Sequence, residues 1–320
     1  MKISQRRHKT QGRNLDGILL LDKPIGITSN QALQQAKNIF AARKAGHTGS
    51  LDKMASGLLP LCFGEATKFS GYLLQADKHY TADCRLGIRT ATGDALGEIL
   101  EEAPVPCYSI SQVEDVLAKF RGETMQIPPM FSALKHQGKR LYELAYKGIE
   151  VERQARRIMI HRLELIAFDG AVLRITVHCT KGTYIRTLAE DIGRSLGCGA
   201  HVAMLRRTGA GPFREAGMHT LEELQGVSTH GVESLDSLLV PLDAALQDLP
   251  DLRLNALIAG YIREGQAVTV PRAPTSGMLR LYSETGDFIG VGEILDDGRV
   301  EPRRLVSRPG RSSKHNIRSF

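Results

Sequence analysis

The stretch AVLRITVHCTKGTYIRTLAEDIGRSL, residues 171–196, contains a strand pattern followed directly by a helix pattern. Over residues 171–179 apolar and polar side chains alternate, which is typical of a half-buried strand. A Thr-Lys-Gly turn follows, and over Thr183–Leu196 the apolar residues recur every three to four positions, as in an amphipathic helix. Because strands and helices mix along the chain without a regular βαβ rhythm, we expect an α+β fold with a mixed, largely antiparallel sheet.

Segments on the N-terminal side support this fold class. Residues 15–24, LDGILLLDKP, predict a short strand that ends in a turn. A helix is predicted over residues 30–42, with Ser29 as its cap. Residues 79–86 alternate as a second half-buried strand. The sequence from Ser111 to Glu114 has the form of a capping box and predicts the start of another helix.

The length of 320 residues favours two domains. The helical and strand patterns are interrupted near residues 246–255, and short strands are then predicted at 266–270, 278–283 and 287–295. These strands would form a small β-rich domain. We expect four parts: a basic flexible arm (1–14), a main domain (15–248), a small β-rich domain (249–308) and a basic tail (309–320).

The net charge of +7 is concentrated at the two ends of the chain. Basic arms of this kind are common in nucleic-acid-binding proteins, and they also occur as solubilising tails. No apolar run approaches the roughly 18 residues of a membrane span, and the basic N-terminus lacks the apolar stretch of a secretory signal. The sequence therefore predicts a cytoplasmic protein that does not enter membranes.

Cofactor and metal signatures are not found in the sequence. There is no GxxxxGK[ST] phosphate loop and no HExxH zinc motif. The five cysteines are odd in number and widely spaced, which argues against a disulfide framework or a zinc site. The histidines are scattered, with no pair at ligand spacing. We therefore expect no cofactor and no metal.

A single acidic residue, Asp52, lies within the small, glycine-containing stretch HTGSLDKMASGLLP, residues 47–60. One interpretation is that Asp52 caps a helix beginning at Lys53 or Met54. The alternative is a catalytic carboxylate, because an aspartate is ionised at neutral pH and can act as a nucleophile without a base. The residues alone leave both interpretations open.

Other candidate residues also have an ordinary structural interpretation. Arg186 fits an exposed arginine paired with Glu190 one helical turn later. Tyr184 fits a rim residue. Tyr80 lies on the inward face of its predicted strand, where core packing is the usual role, and Leu205 is a core residue by type.

Five stretches, taken together and in order, resemble the motifs of the TruB-type tRNA pseudouridine synthases. They are DKPIGITS (22–29), GHTGSLDKMASGLLPLCFGEATK (46–68), PPMFSALKHQGKRLYELAYKG (128–148), CTKGTYIRTLAEDIG (179–193) and LRRTGAGPF (205–213). The resemblance extends from about residue 15 to 245, and the segment after it resembles a PUA domain, a small RNA-binding β fold. One departure is LDKMASG, where the family more often has LDPLATG, so Lys53 adds a charge beside Asp52.

The resemblance implies a sheet of the pseudouridine synthase type and the conversion of a T-loop uridine of tRNA, at position 55, to pseudouridine. The reaction would use an Asp carboxylate on a flipped-out nucleotide and would need no cofactor. The partner would be the T-loop and T-arm of tRNA, with the acceptor stem as a candidate contact of the C-terminal domain. No obligate protein partner is implied, and a monomer is expected.

The resemblance also assigns roles to six residues. Asp52 matches the catalytic Asp, Arg186 the Arg that pairs with it, and Tyr80 the Tyr that stacks on the target base and serves in proton transfer. The substrate-binding residues implied are His47, Tyr80, Tyr184 and Leu205.

Two rival functions remain at this point. A non-catalytic RNA-binding protein could use the same scaffold, although it would not need an ionised carboxylate facing a polyanion. A nucleoside or glycoside hydrolase would need a second carboxylate about 5–10 Å from Asp52 to activate water. Asp94 and Asp191 are the candidates, provided that the fold brings either of them close to Asp52.

Overall fold

The computed structural model describes residues 12–310 of the chain. Most of the predicted basic arm and most of the basic tail lie outside these residues. Within the arm, Arg13 is described, and its guanidinium pairs with the carboxylate of Asp236 at 2.6 Å. This last part of the arm is therefore attached to the main domain.

The structure contains seventeen strands and eight α-helices within residues 12–310. The strands are β1 (Gly17–Lys23), β2 (Ala45–His47), β3 (Ala55–Phe63), β4 (Lys78–Leu86), β5 (Ile88–Thr90), β6 (Ile99–Glu102), β7 (Gly122–Gln126), β8 (Lys135–His136), β9 (Lys139–Arg140), β10 (Arg156–Phe168), β11 (Val172–Cys179), β12 (Ala200–Ala210), β13 (Phe213–Arg214), β14 (Asp251–Leu254), β15 (Gly277–Ser283), β16 (Phe288–Ile294) and β17 (Val300–Gly310). The helices are α1 (Ser29–Ile39), α2 (Ser70–Gln75), α3 (Ile110–Ala118), α4 (Leu141–Ala145), α5 (Ile185–Leu196), α6 (Leu221–Ser228), α7 (Val232–Asp236) and α8 (Ala256–Arg263).

The main sheet has nine strands, and its principal order is β1-β3-β12-β4-β11-β10-β7. All of its described pairings are antiparallel except that of β3 with β12. The prediction of a mixed, largely antiparallel sheet is therefore confirmed. The long strand β12 lies between β3 and β4, although it comes more than 100 residues after both of them in the chain.

The two faces of the main sheet differ in polarity. One face packs against α1, α3, α5 and α6 to form the main core, which includes Ala36, Val113, Leu188 and Leu224. The opposite face is polar over β4 and β11, where Arg174 and Asp83 form an ion pair at 2.7 Å. Over β1 and β3 it is apolar and packs in a second cluster, which includes Ile18, Leu20, Leu58, Phe69 and Phe288. The alternation predicted for β4 and β11 is thus confirmed, since alternate residues enter the core.

Two predicted helix starts are shifted. The cap of α1 is Thr28, not Ser29, and α1 has a capping box with Gln31. The cap of α3 is Ser109, not Ser111. In both cases several hydroxyl residues stand near the helix start, and sequence alone does not decide which of them accepts the first free N–H.

The C-terminal sheet has the order β14-β15-β16-β17 and its own apolar cluster. The strand predicted at 266–270 is wrong: Val268 and Val300 form only an isolated bridge there. This small domain packs on the main domain through the rings of Phe69 and Phe288, whose centroids are 5.4 Å apart. The predicted β-rich C-terminal unit is confirmed.

Two simpler expectations concern cysteines and membrane spans. All five cysteines are free, and only Cys107 is exposed. Among the helices of residues 12–310, none is both long and apolar enough to cross a bilayer.

Candidate active site

Asp52 lies in a loop, residues 48–54, that joins β2 to β3. The loop is held by bonds to distant parts of the chain. The Ser29 hydroxyl accepts the Leu51 N–H at 2.7 Å and also contacts the Leu51 carbonyl at 3.1 Å. The Gly26 N–H donates to the carbonyl of Lys53 at 2.7 Å. These bonds fix the backbone on both sides of Asp52.

The helix-capping interpretation of Asp52 is wrong. Strand β3 begins at Ala55, and no helix follows the aspartate. The small residues from Ala55 to Gly57 pair in parallel with Leu205–Arg207 of β12. This pairing leaves the carboxylate of Asp52 free of any capping role.

The carboxylate of Asp52 forms an ion pair with Arg186. The Arg186 Nε lies 2.9 Å from Asp52 Oδ2. The aspartate side chain is 46% exposed, whereas that of Arg186 is 4% exposed. The negative group therefore faces solvent while the positive group that orients it is buried.

Arg186 is fixed by two further hydrogen bonds. Its terminal nitrogens donate to the backbone carbonyls of Thr92 and Phe131, each at 2.7 Å. The predicted surface pair with Glu190 is wrong. Because α5 starts at Ile185, Arg186 lies in the first helical turn, and its side chain points toward the segments that supply these two carbonyls. With its other nitrogens occupied, the guanidinium holds the Asp52 carboxylate in one orientation.

Tyr80 lies on β4 directly opposite Arg207 of β12. Burial raises the pKa of Tyr80, and the charge of Arg207 opposes this effect. The phenol is therefore neutral at neutral pH. Tyr80 also packs against the main core. It is therefore both a core-packing residue and a neighbour of the site.

Arg207 is a buried cation beside the Asp52 loop. Its side chain donates from Nε to the Leu58 carbonyl at 2.7 Å and from Nη2 to the Gly49 carbonyl at 3.3 Å. The residue is 1% exposed. These bonds tie β12 to both ends of the segment that carries Asp52.

Lys23, at the end of β1, is also buried near Asp52. Its ammonium group donates to the carbonyls of Pro24 and Ile27, each at 2.8 Å. Burial lowers the pKa of Lys23 to about 8, and the negative charge of Asp52 opposes this decrease. The site therefore places three buried cationic residues close to the loop that carries Asp52.

The other three predicted residues surround this group. His47 ends β2, and burial lowers its pKa, with the charge of Arg207 as a second cause. Leu205 is buried in the main core, opposite Ala82 of β4. Tyr184 precedes α5, and its N–H donates to the Gln126 side chain at 2.8 Å.

The structure brings one of the two candidates for a second carboxylate close to Asp52. Asp94 Oδ2 lies 3.9 Å from Arg186 Nε, the atom that is 2.9 Å from Asp52 Oδ2, so the two carboxylates are at most about 7 Å apart. Asp94 is buried, however, and is not open to the water that a hydrolase would have to activate.

Both candidates have other partners. Asp94 Oδ1 accepts hydrogen bonds from the Thr92 hydroxyl at 2.6 Å and the Leu96 N–H at 3.0 Å. Asp191 pairs with Arg194 at 2.8 Å.

The residues predicted from the sequence for this site do not include Lys23, Ser29 and Arg207. Each lies within a stretch that resembles a family motif, and this was the available signal. A lysine beside a turn and an arginine in a strand are ordinarily exposed. Burial of these cations depends on carbonyl groups from other segments, which the local pattern does not reveal.

Gly57 allows the close approach of β3 and β12. Its φ is +97°, and a Cβ atom at this position would lie 2.3 Å from the Arg207 carbonyl oxygen. We expect Gly57→Ala to lower the free energy of unfolding by at least about 2 kcal/mol, measured by urea denaturation.

Gly226 provides the control for this prediction. It lies within α6, and a Cβ there meets nothing within 4 Å. Gly226→Ala should raise the free energy of unfolding by about 0.5–1 kcal/mol. Equal effects of the two substitutions would contradict the role given to Gly57.

Comparison with known families covers almost the whole chain. Residues 37–185 match the N-terminal domain of the TruB family pseudouridylate synthases. Residues 186–247 match the C-terminal domain of tRNA pseudouridylate synthase B, and residues 250–306 match the C-terminal model of pseudouridine synthase II TruB.

Individual relatives and solved structures agree with these matches. The tRNA pseudouridine synthase B of Nitrosococcus oceani is 54% identical over 302 residues, 94% of this chain and 98% of the relative. That of Ectopseudomonas mendocina is 57% identical over 92% of this chain and 96% of the relative. A chain in the crystal structure of a Cbf5-Nop10-Gar1 complex has a TM-score of 0.71 at 26% identity, covering 90% of this chain and 84% of that chain. With Asp52 and Arg186 in the matched region, the chain belongs to the TruB family of pseudouridine synthases.

Proposed function

We propose that this protein converts a uridine in the T-loop of tRNA, at position 55, to pseudouridine, with Asp52 as the catalytic carboxylate. The relatives at 54% and 57% identity bear the name tRNA pseudouridine synthase B, which supports the substrate. We further propose that the protein acts in the cytoplasm as a monomer, without an obligate protein partner.

The observation that carries the proposal is the pair formed by Asp52 and Arg186. A half-exposed carboxylate, held by a buried guanidinium at 2.9 Å, is available to a substrate from one side only. Removing the positive charge or the carboxylate would leave the other group unpaired. The arrangement suits a carboxylate that must meet a sugar carbon in a defined orientation.

The reaction breaks the bond between N1 of uracil and C1′ of the ribose and forms a new bond between C5 and C1′. Atoms are conserved: C5 loses a proton to solvent, and N1 gains one. Positive charge develops at C1′ as the first bond breaks, and a carboxylate stabilises or attacks such a centre, as in glycosidases. Asp52 acts either by adding to C1′ or by accepting a sugar proton as a glycal forms.

The base must leave the loop stack before it can react. Extruding a stacked nucleotide costs a few kcal/mol. Stacking of the freed base on the Tyr80 ring would return about 1–3 kcal/mol. The neutral Tyr80 phenol and the apolar Leu205 also limit water, which would otherwise capture the open sugar.

The small C-terminal domain offers further groups that could contact a polyanionic substrate. We propose that residues 15–248 form the catalytic domain and that residues 249–308 bind tRNA phosphates, with the acceptor stem as their contact. Exposed arginines on the small domain, such as Arg253, Arg263 and Arg304, supply the charge. Binding dominated by phosphates weakens steeply as salt is raised.

The proposal is tested with a tRNA transcript that carries tritium at C5 of uridine. The expected results are tritium release, pseudouridine at position 55 after digestion, and filter binding that weakens steeply with salt. Binding without tritium release would indicate an RNA-binding protein instead. Release of free uracil would indicate a hydrolase.

A further inference from the structure

Three ligand-type side chains meet on the polar face of the main sheet. Asp77 lies just before β4, His161 lies on β10 and His178 on β11. The Nε2 atoms of His161 and His178 are 2.9 Å and 3.7 Å from Asp77 Oδ2. No local pattern in the sequence indicates this cluster, because its members are separated by 84 and 17 positions in the chain.

We propose that Asp77, His161 and His178 form a binding site for a divalent transition-metal ion, with Zn²⁺ as the best fit. The three ligand atoms lie within 4.8 Å of one another. Zn²⁺ binds imidazole nitrogens and carboxylate oxygens at about 2.0–2.2 Å, so its tetrahedral ligands stand roughly 3.4 Å apart. Small side-chain rotations bring these three atoms to that spacing.

The strands that carry the cluster are paired, although one ligand lies at an irregularity. Strands β10 and β11 pair with Arg162 opposite His178, and His161 lies at a β-bulge between Ile160 and Arg162. The carbonyl of Asp77 accepts the Gly211 N–H at 2.9 Å. The ring of His178 is stacked on that of His79 with centroids 4.0 Å apart. Preorganised ligands lose little conformational entropy when an ion binds, which favours affinity.

The site also has space for a further ligand. Asp77, His79 and His178 line an open depression of about 440 Å³, together with Arg214 and Asp248. A water molecule can complete a four-coordinate shell from this side. The positive charge of Arg214 opposes a cation, and the two carboxylates offset it.

This site is separate from Asp52. His79 and Tyr80 are neighbours on β4, so their side chains point to opposite faces of the sheet. Tyr80 points to the face that carries the catalytic group, and His79 lies with His178 on the other. Metal binding can therefore be measured without reference to turnover.

The test is calorimetric titration of the full chain with Zn²⁺ in a Cys107→Ser background, which removes the one exposed thiol. We expect one Zn²⁺ per chain with micromolar or tighter affinity. Asp77→Asn and His178→Asn should each weaken binding at least about tenfold. Zn²⁺ should also raise the thermal unfolding midpoint of the parent and not of these variants.

His230→Gln is the matched control, because His230 is an exposed histidine at the end of α6 and outside the cluster. It should bind Zn²⁺ as the parent does. Titration with Co²⁺ gives a second readout. Coordination by the parent should produce visible absorption, and Asp77→Asn and His178→Asn should lack it. Parent-like affinity in Asp77→Asn and His178→Asn, or no stoichiometric binding by the parent, would overturn the proposal.

Discussion

Asp52→Asn is expected to slow tritium release from C5-labelled tRNA by at least about 10⁴-fold. The amide has the size of the carboxylate, but it carries no negative charge to stabilise or attack C1′. Its affinity for tRNA should be unchanged or higher, since one negative charge facing a polyanion is removed. Single-turnover rates and filter binding with the same RNA separate the two effects.

Asp191→Asn is the matched control for this experiment. It makes the same chemical change on α5, at a carboxylate whose described partner is Arg194 at 2.8 Å. Its tritium-release rate should stay within about twofold of the wild type. If Asp52→Asn retained more than a tenth of the wild-type rate, the catalytic role of Asp52 would be excluded.

Arg186→Lys is expected to lower kcat by about 10²–10³-fold. A lysine keeps the charge, but its single ammonium group cannot contact the Asp52 carboxylate and the carbonyls of Thr92 and Phe131 together. Leaving buried carbonyls unpaired should also cost about 1–3 kcal/mol of folding free energy. If kcat is measured well below the thermal unfolding midpoint, the variant is folded, and the decrease in kcat reports the loss of carboxylate positioning.

Arg194→Lys, on the same helix, provides the control. The Arg194 side chain is 72% exposed and pairs only at the surface with Asp191. Both kcat and stability should remain close to those of the wild type. Wild-type kcat in Arg186→Lys would show that charge alone suffices and that the fixed geometry is unimportant.

Much of the fold could be predicted from local patterns. The alternation in β4 and β11 and the apolar stripe of α5 are properties of single segments, and all three appear in the structure. Helix starts were less certain, since Thr28 and Ser29 are both suitable caps and the free hydroxyl of Ser29 instead binds the Leu51 backbone.

The candidate site was predictable in its members but not in its geometry. Ala55–Gly57 resembles a turn or helix start locally, and only pairing with β12 makes it a strand. Arg207 resembles a surface arginine until carbonyls of Gly49 and Leu58 enclose it. These features depend on contacts between residues about 150 positions apart in the chain. The local pattern of apolar and polar residues therefore does not predict them.

The late position of β12 in the chain has a consequence for synthesis of the protein. At ordinary elongation rates, on the order of ten seconds separate the appearance of β4 from that of β12. During that interval β4 has an unpaired edge of nine residues, and the Asp52 loop lacks Arg207. Nascent chains are therefore most exposed to edge-to-edge association before residue 210 emerges, and a chaperone that covers β4 would protect them most in that interval.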